Sequence, residues 1–75
     1  MIEQQHEMTS HRSVVIDYTN WKGNRATRKV IPDEVYFGES EYHDGRQWLL
    51  KAFDLNKREW RTFTMKDIHS WRPAA

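Results

Sequence analysis

The stretch Trp48-Leu49-Leu50-Lys51-Ala52-Phe53-Asp54-Leu55 is the longest apolar run in a chain whose mean hydropathy is only -0.99. Asp44-Gly45 precedes it and Asp54-Leu55-Asn56-Lys57 reads as the turn that ends it, so length and flanks favour a buried strand over a helix. We read it as the central strand of a small β domain. Its alternation sets Trp48, Leu50 and Ala52 on one face and Leu49, Lys51 and Phe53 on the other. Both faces are largely apolar, as expected where one meets an interior and the other is covered by a loop, a terminus or a second chain.

Past the turn, Arg58 to Met65 alternates as the last strand, with Arg61, Phe63 and Met65 on one side and Trp60, Thr62 and Thr64 on the other. Thr64-Met65-Lys66-Asp67 has the spacing of a helix start, with Ile68 and Trp71 three apart, which predicts one short helical turn near the C-terminus before Pro73. His69 is expected to be an exposed member of that turn.

Upstream, Gly38 to Gln47 mixes Glu39, Glu41, His43, Asp44 and Arg46 and is expected to be a solvated irregular loop on the rim of a binding site. Val35-Tyr36-Phe37 before it reads either as a bent continuation of the second strand or as a separate short one. Pro32 lacks a backbone donor, so the strand must stop, bulge or become an edge there. The second strand proper runs from Arg25 to Ile31. If Val30 faces the core, Ala26 and Arg28 share that face, and an unpaired guanidinium among apolar neighbours is costly. Arg28 must therefore pair with a carboxylate such as Asp17 or Asp54, or await an anionic ligand. Arg61 lies on the same parity of core residues.

Asn20 to Asn24, around Gly23, reads as a hairpin loop with Trp21 at its edge, either as a lid on the domain or as a stacking platform. Ser13 to Thr19 is the first strand, with Val14, Ile16 and Tyr18 turned inward. Residues 1–12 are polar and expected to be a flexible N-terminal segment; residues 13–72 form the domain. His6 and His11 are five apart with no carboxylate placed to complete a site, so no metal is expected there.

Seventy-five residues make one domain, because a chain this short buries only about 60% of its unfolded surface. Aromatic residues are 13% of it, including four Trp, so a few large side chains carry the core. Net charge is +1, which gives the whole molecule no strong attraction for a polyanion, so any anion site must be local. Zero cysteines exclude disulfides, thiolate metal sites and thiol nucleophiles, and point to a reducing, cytoplasmic setting. The start of the chain has no apolar targeting segment, and no stretch is long and apolar enough for a membrane helix.

Taken in order, Ile16-x-Tyr18, Arg28-x-Val30-x-Pro32, Trp48-Leu49-Leu50 with Ala52-Phe53-Asp54, and Arg61-x-Phe63 before Asp67-Ile68 resemble the WYL domain over residues 13 to 71. The resemblance implies a small, strongly bent, five-stranded Sm-like β-barrel, of the kind that forms the sensing half of bacterial transcription regulators. It also implies a ligand site made of Arg28, Trp48, Leu49, Leu50 and Arg61, taking a nucleotide or a single-stranded nucleic acid. Leu49 stands where the family has tyrosine, so a ring and a hydroxyl are missing from the implied site. The winged-helix reader that normally precedes the domain has no room in this sequence, so a stand-alone module is expected.

The leading expectation is a non-catalytic module that holds a phosphate-bearing ligand on Arg28 and Arg61, with Trp21, Lys51 and Phe53 as secondary contacts and with no cofactor. The alternative is a protein-interaction or self-association module, a homodimer included, that acts through the apolar face bearing Leu49 and Phe53. An enzyme is not expected. No His-carboxylate pair has motif spacing, and the three glycines are scattered at 23, 38 and 45 rather than gathered in a phosphate loop.

Overall fold

The computed structural model of the chain describes residues 13–41 and 43–74. The expectations for residues 1–12, His6 and His11 among them, lie outside the described residues. Alternating β-branched and aromatic residues build β1 (Val14–Thr19), and β2 (Arg25–Ser40) returns antiparallel to it. Between them Asn20 closes the loop: its carboxamide oxygen accepts the amide N–H of Lys22 and of Asn24, each at 2.9 Å. Gly23 takes φ +88° there, a backbone that a side chain resists.

β2 does not stop at Pro32. It continues for 16 residues, and the missing donor is absorbed by an irregularity in its pairing with β3 (His43–Asp54) between Pro32 and Glu34. Val35–Phe37 is therefore a continuation of the second strand. In the segment Gly38 to Gln47, expected to be an irregular loop, residues 38–40 and 43–47 are instead the distal ends of β2 and β3, with Ser40 paired to His43. Hydrogen bonding between two long neighbouring strands satisfies the backbone there despite a polar composition.

β4 (Glu59–Thr64) pairs with β3, and a 3-10 turn (Met65–Asp67) leads into β5 (Ile68–Pro73). The helical turn is thus shorter than a full α-helical start, with the Thr64 hydroxyl bonded to the Asp67 carboxylate. Ile68 and Trp71, expected on one face of a helical turn, lie in a strand that pairs with β1. The strand count is five as expected, but the fifth strand is Ile68–Pro73 and not a separate piece at Val35–Phe37.

The sheet order is β4-β3-β2-β1-β5, all antiparallel. β2 holds the middle position, and β3, expected there, is the interior strand beside it. Tyr18 of β1 and Phe63 of β4 meet edge to face with ring centroids 5.0 Å apart, although two strands lie between theirs. The sheet must curl to allow this. It does not close: β4 and β5 are the two edges of an open sheet among the described residues, so the closed barrel is not found. The three-residue turn carries the chain from one edge across to the other instead of folding it back as a β4–β5 hairpin.

The concave side gathers Val14, Ile16, Tyr18, Val30, Leu50, Ala52 and Phe63, with Ala26, Met65 and Ile68 packed against them. Each large side chain buried this way contributes about 1.5–3 kcal/mol, which is how a small sheet holds its curl.

Candidate anion-binding site

Register decides which side chains share the concave face. Val30 stands opposite Asp54, Ile16 opposite Arg28, and Ala52 opposite Arg61. Arg28 and Arg61 therefore point to the side of the core, as their parity in the sequence predicted. Asp54 joins them there at the end of β3, and its side chain is 0% exposed.

The Asp54 carboxylate has two separate tasks. One oxygen, Oδ1, accepts the amide N–H of Asn56 at 2.9 Å and of Lys57 at 3.0 Å, which closes the β3–β4 turn. The other, Oδ2, lies 3.7 Å from Nε of Arg28 and 3.8 Å from Nε of Arg61. The two Nε atoms are therefore at most 7.5 Å apart, the sum of those distances. Neither Asp54 Oδ2 nor Arg28 Nε has a hydrogen-bond partner among the described residues. Two guanidiniums thus share one carboxylate by charge alone.

The arginine side chains are partly solvent-facing, at 29% and 28% exposure. They open onto different parts of the surface. Arg28, whose Nη1 also donates to the Thr27 carbonyl at 3.0 Å, lines a shallow depression with Lys29, Asn56 and Lys57. Arg61, stacked at 5.6 Å over Phe63, lines a larger groove that runs along β4. Trp21, Lys51 and Trp60 line the same groove, and Glu39, Glu41 and Glu59 make its lining mixed in charge.

Of the other residues of the expected site, Trp21 and Lys51 line the groove of Arg61, whereas Trp48, Leu49, Leu50 and Phe53 line neither the groove nor the depression beside Arg28. Leu49 and Leu50 are both fully buried, Leu50 in the core and Leu49 on the opposite face of β3 beside Thr64. Trp48 is 57% exposed on the distal hairpin, edge to face with Phe37 at 5.4 Å. Phe53 packs edge to face on Trp60, over which Lys51 Nζ sits at 5.0 Å. Trp21 lines the same groove as Arg61, together with Tyr18, Tyr36, Trp60 and Phe63.

Asp17 is not the partner of Arg28. It takes both Nε and Nη2 of Arg25, at 3.0 and 2.9 Å, and this contact holds its carboxyl below the usual 3.8 and raises the Arg25 guanidinium. His69 is exposed in β5 and shares a hydrogen bond of 2.7 Å with the Thr19 hydroxyl. Sequence reasoning paired Asp54 with Arg28 as one option and missed that it also serves Arg61. The signal was there: Asp54 falls on the even-numbered face of β3 with Leu50 and Ala52. Lys57 carried no such signal, because only the β3–β4 turn brings it beside Arg28, while Lys29 simply follows Arg28 in β2.

Among solved structures, the chain resembles proteasome accessory factor B/C (PafBC) of Arthrobacter aurescens, with a TM-score of 0.67 and 20% sequence identity. The match covers 99% of this chain and 10% of that one, so the likeness concerns the fold of one module in a much longer protein. No curated protein matches the chain. No helix among the described residues is long and apolar enough to cross a membrane. The family model for the WYL domain matches residues 5–73, nearly the whole length, and the chain belongs to that family.

Proposed function

We propose that the protein is a regulatory, ligand-sensing WYL module of the cytoplasm, without catalytic activity, which binds a phosphate-bearing ligand through Arg28 and Arg61. The class is a nucleotide or a single-stranded nucleic acid. The observation that carries this reading is the shared carboxylate: two guanidiniums and one Asp54 leave an excess positive charge in a partly desolvated position, where an anion gains more than it does at the open surface. Guanidinium forks suit phosphate oxygens, and Trp21 beside Arg61 offers a face for a base. Leu49 and Leu50 support the strand from within, and Trp48 serves a separate surface.

The test is equilibrium binding of nucleotides and short oligonucleotides at several salt concentrations. Arg28→Ala and Arg61→Ala should each weaken binding at least about tenfold, a loss of about 1.4 kcal/mol, while melting stays cooperative. If both variants bind as tightly as the parent, the assignment is wrong.

A second reading has its own observation. Val35, Phe37 and Trp48 lie half exposed on one face of the distal hairpin, and β4 and β5 leave two open sheet edges. This favours a protein-interaction or self-association module working through the hairpin. The version built on Leu49 is less favourable, because that side chain is buried. Sedimentation of the parent and of Trp48→Ser separates the cases: a monomer in both excludes self-association.

A further inference from the structure

Resting on the anion-binding reading above, we propose that Asp54 is the specificity-determining residue of the site and selects a singly charged phosphodiester over a doubly charged phosphomonoester. The argument is a count of charge. Arg28 and Arg61 contribute two positive charges and the buried Asp54 carboxylate removes one, because its Oδ2 stands 3.7 and 3.8 Å from their Nε atoms. The cluster presents one net positive charge from whichever side a ligand approaches. Glu59, opposite Asp54 in the ladder, and Lys29 and Lys57 beside Arg28 are exposed, so solvent and salt screen them far more than the buried carboxylate.

A phosphodiester carries one negative charge and neutralises the cluster. A phosphomonoester carries nearly two above its second pKa of about 6, and brings one charge into a partly dry site with no partner. The carboxylate faces each guanidinium on its Nε side, and Nη1 of Arg28 already donates to the Thr27 carbonyl. Asp54 is fixed in this place by the turn: Oδ1 is committed to two backbone amides, so the side chain cannot swing away to make room for a second ligand charge.

The test compares nucleoside 5′-monophosphates with their methyl esters, which differ by one methyl group and one charge, at pH 7.5 on the parent and on Asp54→Asn. The parent should bind the methyl esters about tenfold more tightly, and Asp54→Asn should reverse or abolish that preference while binding both. A parent that prefers the doubly charged ester overturns the proposal, as does an Asp54→Asn variant that keeps the parental ratio. Should Asp54→Asn fail to fold, the parental ratio alone decides. A folded parent that binds neither compound nor any oligonucleotide defeats the anion-binding reading itself, an outcome distinct from a wrong ratio.

Discussion

At the scale of single residues, Asp54 and Asp17 show two ways of using a carboxylate in one sheet. Asp54 is buried and serves both the β3–β4 turn and two arginines, so removing it strips the turn of its acceptor and leaves partly buried cations unpaired. Asp54→Ala is expected to cost about 3–5 kcal/mol in urea unfolding, and Asp54→Asn, which keeps the acceptor for the turn, about 1–3 kcal/mol. Asp17 sits at the surface and is held below 3.8 by Arg25. Its depressed titration makes its contribution fully present above about 3.8 and lost as pH falls through the lower folded value. Melting temperatures of Asp17→Asn and the parent should therefore differ at neutral pH, converge at acid pH as the folded Asp17 takes up its proton, and differ less in high salt. A third residue has a local cost: Arg58 takes φ 58° in the β3–β4 turn, a left-handed backbone that disfavours a side chain by about 1–2 kcal/mol. Arg58→Gly is expected to stabilise the fold by about 0.5–1 kcal/mol in the same assay, since glycine gives back part of the gain in chain entropy.

Among the elements, the β2–β3 hairpin divides into a packed half and an outlying half. Near the core, Val30 and Leu50 are fully buried, whereas past the irregularity at Pro32 the apolar side chains Val35, Phe37 and Trp48 are about half exposed, with Phe37 and Trp48 edge to face. Leu50→Ala should cost about 2–5 kcal/mol, because a buried side chain leaves a cavity. Phe37→Ser should cost less than about 1 kcal/mol, because its ring is already half in water. Backbone amides of the distal half should exchange with solvent faster than those of β1, which hydrogen exchange measures directly. The strands of this sheet were largely legible in the sequence, since alternation is a local property of each segment. The hairpin's outer half was not, because Gly38 to Gln47 has loop composition and becomes strand only by pairing with itself.

For the whole molecule, the informative quantity is how binding responds to salt. With a net charge of +1, long-range attraction is weak, and the dependence reports the ion contacts of the site itself. Single-stranded binding gives a slope of log K against log salt of about -0.7 per phosphate neutralised, so a cluster of one net positive charge that takes one phosphodiester predicts about -0.7 for the parent, and each single Arg→Ala variant a shallower slope. Titrations at four salt concentrations check this, and a slope near zero would remove the arginines from the interface.

What the amino-acid order determined on its own was the inward and outward face of each strand, and with it the odd position of Arg28 and Arg61 among core residues. The WYL likeness was legible for the same reason, from the order and spacing of short strand motifs. Only the tertiary structure decided that Ile68–Pro73 crosses to pair with β1, that the sheet stays open, and that a single carboxylate stands between the two arginines while Leu49 and Leu50 are buried. Side-chain parity follows from two-residue periodicity within a segment, whereas pairing, curl and the sharing of one charge by two distant strands are set by contacts between residues far apart along the chain.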